Sequence, residues 1–310
     1  MSKLYLFLLF FILPLDATTL VYNMRIRRIF SADDTTVQDK SHWIVSGVPI
    51  LYMRDRHIED AETGINVDED IKMGGALFNL RHRYNRHWWG EVTTGLFKEH
   101  MTLSGTTDLI ACRKGFDDFI IAAGYNFFPH EHVQGAVYGL AGFPTHRDIN
   151  AQEFTNNLVG TRFFSIGAGA ELSYGFIEEL QRSLIGIVQG RIIHFFKRSW
   201  FPILPCGSII EPGNVSDLLF TVQSRKGRGT FETGYNATIF SDQAVSLPGV
   251  FERCTDTFVR NSLYASYSYI CKNEKAPDEP VIIGIGGNIG WSKRFDTRIT
   301  FFWFQLTKVF

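Results

Sequence analysis

The sequence is short of the features that most often point to a function. After the first residues, no stretch approaches the roughly 18 consecutive apolar residues of a membrane-crossing helix, so no helical span is expected. Neither sign of charge prevails. The 31 Lys and Arg against 32 Asp and Glu leave a net charge of −1, which gives no electrostatic footprint for nucleic acid. The four cysteines, Cys112, Cys206, Cys254 and Cys271, include no C-x-x-C pair, which removes zinc-ribbon and thioredoxin-like readings. No internal repeat or low-complexity tract stands out, and Ala and Leu, the strong helix formers, do not dominate.

Glycine and phenylalanine are abundant instead, at 28 residues each. Glycine with aromatic and β-branched residues favours strands joined by sharp turns. The chain opens "MSKLYLFLLFFILPLDATT", in which Lys3 precedes an apolar run from Leu4 to Leu15 and Ala17 follows. A positive start, a short apolar core and a small residue are the order of a secretory signal, so residues 1–17 are expected to be one. No cofactor is expected.

From about residue 43 the chain alternates with period 2. In "TRFFSIGAGAELSYGF", Phe164, Ile166, Ala168, Ala170, Leu172, Tyr174 and Phe176 share one face, and Ser165, Gly167, Gly169, Glu171, Ser173 and Gly175 the other. "PVIIGIGGNIGWSK" places Val281, Ile283, Ile285, Ile289 and Trp291 opposite Ile282, Gly284, Gly286, Asn288, Gly290 and Ser292. Successive strand side chains point to opposite faces, so each stretch has one greasy side and one small or polar side. About twelve stretches follow this rule: 43–53, 72–84, 87–100, 116–128, 131–143, 161–176, 182–197, 215–225, 229–240, 259–272, 280–292 and 297–310. Alternation is poor in the first, which contains Pro49, and 131–143 is apolar on both faces.

The connections carry a second signal. Tight ones ("YNRH", "FPHE", "RKGRG") fall between long polar ones ("RDRHIEDAETGINVDED", "TLSGTTDLIACRKG", "PTHRDINAQEFTNNLVG") almost throughout; "KRFDT" is short where the rhythm requires length. A membrane barrel has short turns at one end and long loops at the other. In a soluble sandwich the inner face is the apolar one, and Gly, Ser, Thr and Asn would fill it poorly. Backbone groups in hydrocarbon must all be paired, so a sheet enters only if it closes. Aromatics gather near stretch ends (Tyr84, Trp88 and Trp89; Phe127 and Phe128; Tyr174 and Phe176; Tyr267 and Tyr269; Trp291), as interfacial girdles do.

The last stretch, "ITFFWFQLTKVF", sets Phe302, Phe304, Leu306 and Phe310 on one face, with Lys308 interrupting. This resembles the final strand of Gram-negative outer-membrane β-barrel proteins. The resemblance covers the signal segment, the loop rhythm and this strand, and reaches no one subfamily. It implies an all-β, antiparallel, up-and-down transmembrane barrel of about twelve strands over residues 43–310, in the bacterial outer membrane. Long loops would face outward and short turns the periplasm, with 18–42 as a periplasmic segment or plug. The implied partners are outer-membrane lipid, lipopolysaccharide, the barrel-assembly machinery and small solutes. Phe302, Phe304, Leu306 and Phe310 would be the assembly signal.

By parity the residues opposite the greasy face include Asn79, Arg81, Arg83, Glu91, Thr93, Glu99, Asp118, Glu171, Gln189, Arg191, Gln223, Arg225, Glu232 and Arg260. Two readings stay open for the charges among them: pairs that brace a closed barrel, or the lining of a wet channel that selects solutes. A porin-like channel is the leading activity, and a closed structural or adhesive barrel is the alternative. Lipid-acting barrel enzymes of this kind use His and Ser two apart on one strand face. The chain has no H-x-S, and the nearest pattern is His100 and Thr102 in "HMT". No catalytic residue is assigned. His194 reads as structural, and His82, His87, His130 and His132 as polar turn residues rather than metal ligands. Cys112, Cys206 and Cys254 fall in long connections, so any disulfide is expected to join two of them and to leave Cys271 out.

Overall fold

The strands form where the period-2 pattern places them, and longer than that pattern alone marks. The computed structural model describes residues 41–60, 65–105, 109–145, 163–179, 182–199, 209–247, 251–255, 257–273, 276–293 and 296–310. The expected signal segment and nearly all of 18–42 lie outside the described residues. In chain order the strands are β1 (His42–Asp60), β2 (Ile65–Arg83), β3 (Trp88–Gly105), β4 (Leu109–Phe116), β5 (Phe119–His130), β6 (Val133–Phe143), β7 (Ser165–Glu179), β8 (Arg182–Phe195), β9 (Arg198–Ser199), β10 (Ile209–Glu211), β11 (Asn214–Lys226), β12 (Gly229–Phe240), β13 (Gln243–Leu247), β14 (Phe251–Thr255), β15 (Phe258–Asn273), β16 (Ala276–Ser292) and β17 (Thr297–Val309).

One sheet closes on itself. Its order is β1, β2, β3, β4 with β5, β6, β7, β8, β11, β12, β15, β16, β17, and β17 pairs back onto β1. β4 pairs with the far half of β3 and β5 with its near half, so the two are successive pieces of one stave. The result is a closed antiparallel barrel of twelve staves, the architecture of outer-membrane β-barrels. The seam is tight: Phe310 N–H donates to Trp43 O at 2.8 Å and Trp43 N–H to Phe310 O at 3.2 Å. Pairing of β1 with β17 lapses only at Val48 and Pro49, where proline has no N–H to give. Pro49 is thus tolerated inside a wall strand.

Two expectations are corrected. The pieces "RDRHIEDAETGINVDED" and "TLSGTTDLIACRKG" are largely strand, since β1 and β2 pair out to Asp60 and Ile65, and β3 and β4 pair out to Leu103 and Leu109. Their polarity hid them, because strand beyond the hydrocarbon has no lipid to alternate against. At the same end the connections carry a second, four-stranded sheet in the order β14, β13, β10, β9.

Burial alternates as the faces do. The outward set is apolar and exposed, with Phe302 52%, Ile285 62% and Ile289 64% exposed. A belt of that kind is what a membrane covers. At the tight-turn end Trp43, Tyr84, Trp88, Tyr174, Phe176, Tyr267 and Tyr269 are exposed on the outside. Trp89 departs from its expected girdle and turns inward, where the Arg81 guanidinium lies 4.8 Å from its ring centre.

Candidate functional site: the barrel interior

The inner face divides into two walls of different chemistry. On β17, β1, β2 and β3 it carries an apolar cluster beside the ion pairs Arg54–Glu69 and Arg81–Glu91. Ile50, Tyr52, Val67, Ile71, Met73, Leu77, Phe97, Met101, Leu103, Ile299, Phe301 and Trp303 are buried together in it, and Tyr264 joins them from β15 and Leu219 meets them from β11. The sequence pattern missed this wall. Strands apolar on both faces lose their period-2 signal, and the poor alternation of 43–53 was its one trace.

The other wall is polar and charged. Arg191 on β8 donates from Nε to Asp217 Oδ2 on β11 at 3.0 Å and again from Nη2. Thr238 Oγ1 donates to the other carboxylate oxygen at 2.6 Å, and Asn236 Nδ2 to Thr238 at 3.2 Å. The Arg191 and Asp217 side chains are only 1% and 6% exposed. This pair stands half-way round the ring from the apolar wall. Between the walls, Gln189 Nε2 donates to Tyr138 OH at 3.1 Å.

The residues assigned inward by parity are buried or half-buried. Glu91, Thr93, Glu99, Asp118, Glu171, Gln189, Arg191, Gln223, Glu232, Arg260 and Arg83 are buried, and Asn79, Arg81 and Arg225 are half-buried. Arg81 forks onto Glu91 Oε2 with its Nε at 2.9 Å and Nη2 at 2.7 Å, and Asn79 donates to Thr93 at 2.7 Å. Arg225 reaches the turn carbonyl of Gly227 at 3.0 Å, and Arg260 packs over the Phe240 ring at 5.3 Å. Parity reasoning did not name Asp217, the partner of Arg191, nor the pair Arg54 with Glu69 at 2.9 Å, whose residues lay in a supposed loop. Arg81–Glu91, Arg191–Asp217 and Asn79–Thr93 each join residues directly opposite on neighbouring staves. They brace the wall along its surface and do not cross the axis.

Large inward rings are held the same way. Trp89 lies against Gly124, Tyr138 against Gly169, Tyr264 against Gly234 and Trp303 against Gly286, each directly opposite in register. A Cβ on any of these glycines would come within 2.2–2.5 Å of ring atoms. Glycine therefore lets each ring fold flat over the neighbouring stave rather than project into the interior. A pocket nearer the tight turns is lined by Val48, Gln223, Thr230, Glu232, Ser266, Ser268, Trp303 and Gln305.

The histidines lie elsewhere. His100 points outward and its Nδ1 is 3.1 Å from Cys112 Sγ. His194 is exposed and meets Asn214 Oδ1 at 2.8 Å. His82 stacks near Trp43 and Tyr84, while His87 meets Asn126 O at 2.8 Å. His132 meets Glu178 at 3.1 Å. No group of three metal-ligating side chains exists among the described residues. In the expected assembly signal, Phe302, Phe304, Leu306 and Phe310 are exposed on the outer face. Lys308 is drawn sideways onto Glu279, with Nζ 3.0 Å from Oε2.

No family model and no curated protein matches the chain. Solved structures do. An outer membrane channel from Pseudomonas putida F1 superposes with a TM-score of 0.55 at 12% identity, covering 87% of this chain and 94% of that one. The translocator domain of the autotransporter NalP from Neisseria meningitidis gives 0.42 at 8% identity, over 94% of this chain and 97% of that one. These likenesses are of fold.

Proposed function

We propose that the chain is a channel of the bacterial outer membrane for passive passage of small solutes. The observation that carries this reading is the way the interior is furnished. Charge pairs run along the wall between neighbouring staves, and four large rings lie folded over glycines. A barrel stabilised as a solid core gains most when side chains interdigitate across it; here the bulky and charged groups are held to the wall. Arg81, Arg83, Glu91, Glu99, Asp118, Glu171, Arg191, Arg225, Glu232 and Arg260 supply the charged part of the lining, and the β17–β1–β2–β3 cluster supplies an apolar side. The fold shared with a Pseudomonas putida channel supports the same reading.

A second reading rests on one contact. Leu219 on β11 packs against the apolar cluster, and a barrel bridged there is a closed structural or adhesive scaffold. Single-channel recording of refolded protein in a planar bilayer separates the two. Discrete conductance steps are expected, and a silent bilayer with correctly folded protein would establish the closed scaffold.

A further inference from the structure

On the outer surface of β2, β3 and β4 the apolar belt stops along one line. Leu96 and Phe116, directly opposite each other on β3 and β4, are its last pair, and both are exposed. The next outward pair is Lys98 opposite Lys114, and both are exposed. On β2 the change falls at the same height: Ala76 is opposite Leu96, Gly74 opposite Lys98, and Lys72 opposite His100.

Like charges directly opposite on paired strands repel. Neighbouring charges do not relieve Lys98 and Lys114. Among the described residues neither lysine has a carboxylate partner. Two outward positions beyond that row, Arg298 is opposite Asp55, and Asp55 opposite Asp70. Asp70 in turn takes Lys72 at 2.8 Å. Arg298, Asp55, Asp70 and Lys72 therefore cancel, which among the described residues leaves the two facing ammonium groups uncompensated. Gly74, beside Lys98, offers open room, since a Cβ there meets nothing within 4 Å.

We propose that Lys98 and Lys114 bind one phosphate of a phosphorylated glycolipid in the leaflet at the long-connection end, with its acyl chains against Leu96 and Phe116. An anion between the two ammonium groups turns repulsion into two charge-assisted hydrogen bonds. Headgroup phosphates also sit where the hydrocarbon ends, at the height this boundary marks. The site is separate from the interior and stands whether or not the barrel conducts.

The test is native mass spectrometry of refolded protein in dodecyl maltoside micelles, titrated with diphosphoryl lipid A, with the same lipid stripped of its phosphates, or with inorganic phosphate. Diphosphoryl lipid A is expected to bind, and Lys98→Gln with Lys114→Gln to weaken it about tenfold. Lys72→Gln is expected to matter less, because Asp70 already holds that ammonium. Both glutamine variants lie on exposed positions, and heat-modifiable migration on a gel confirms that they fold. Equal binding by the double variant, or by the stripped lipid, would overturn the proposal. So would inorganic phosphate binding as tightly as the lipid, which would leave a plain anion site.

Discussion

Trp303 and Gly286 give the most direct test of whether rings laid over glycines keep the interior open. In Gly286→Ala the new Cβ would lie 2.2 Å from Trp303 Cζ2, 2.4 Å from Cε2 and 2.8 Å from Cη2. Ordinary contact begins near 3.4 Å, so the ring must retreat by at least 3.4 − 2.2 = 1.2 Å. Behind it is the stave, and beside it Phe301, with ring centres 5.2 Å apart. The free direction is toward the axis. Overpacking of this kind costs about 1–3 kcal/mol, offset by about 0.4–1 kcal/mol from the stiffer unfolded chain. Net destabilisation of about 1–2 kcal/mol is therefore expected in urea titrations of the refolded barrel, together with smaller conductance steps as the indole moves inward. Adding Trp303→Ala removes the clash. In that background the Gly286→Ala cost should vanish, a coupling within the usual range of about 0.5–3 kcal/mol for touching residues. If Gly286→Ala costs the same in both backgrounds and leaves conductance unchanged, rings over glycines do not keep the path clear.

Asp217→Ala removes the carboxylate that the Nε and Nη2 of Arg191, a side chain 1% exposed, both reach, and is expected to destabilise by about 3–5 kcal/mol in the same urea titration; an effect below about 1 kcal/mol would mean that water reaches the pair. Arg81→Gln removes the cation that Glu91, itself buried, pairs with beside the half-buried Arg81, so reversal potentials under a salt gradient should shift toward cations, and an unchanged potential would place this pair outside the ion path. Cys112 and Cys271 are free thiols, so both should be alkylated without reduction in peptide maps, leaving Cys206 with Cys254 as the one pairing open; a bridge containing Cys271 would mean that the staves are misassigned.

Much of the wall was legible because lipid and interior demand opposite chemistries. β7 reads cleanly: its outer face is Ile166, Leu172, Tyr174 and Phe176, while Ser165, Glu171 and Ser173 are buried inside. Where the interior is itself apolar, as around Tyr52, Phe301 and Trp303, the two faces look alike and the period fades. Pairing partners were legible only across tight turns. Arg81 and Glu91 flank a short turn, so their opposition follows from the hairpin. Arg191 and Asp217 are separated by a long connection whose length fixes no register, and only the folded sheet sets them opposite each other. Lys114 was hidden for a third reason. It lies past the hydrocarbon edge, where a hairpin reads as a polar loop, so its place opposite Lys98 came only from the folded sheet.

The apolar wall lies at the seam, and that placement has a consequence for closure. A one-residue slip in an ordinary stave sends its polar face into lipid, which fixes register strongly. Mid-seam, β1 and β17 exchange one apolar face for another in such a slip, at little cost. Register there must be set by the few polar groups present. Gln305 Nε2 donates to Thr307 Oγ1 at 2.9 Å, and Thr307 donates to Ser46 Oγ at 2.8 Å, directly across the seam. Thr307 is fully buried and Ser46 nearly so. A slip would turn Thr307 and Gln305 outward into the belt and break the bond from Thr307 to Ser46, with no water to replace it. Lys308 on Glu279 pins β17 to β16 at the same end. The seam thus combines an apolar inner surface with a short polar lock that keeps such a surface from sliding.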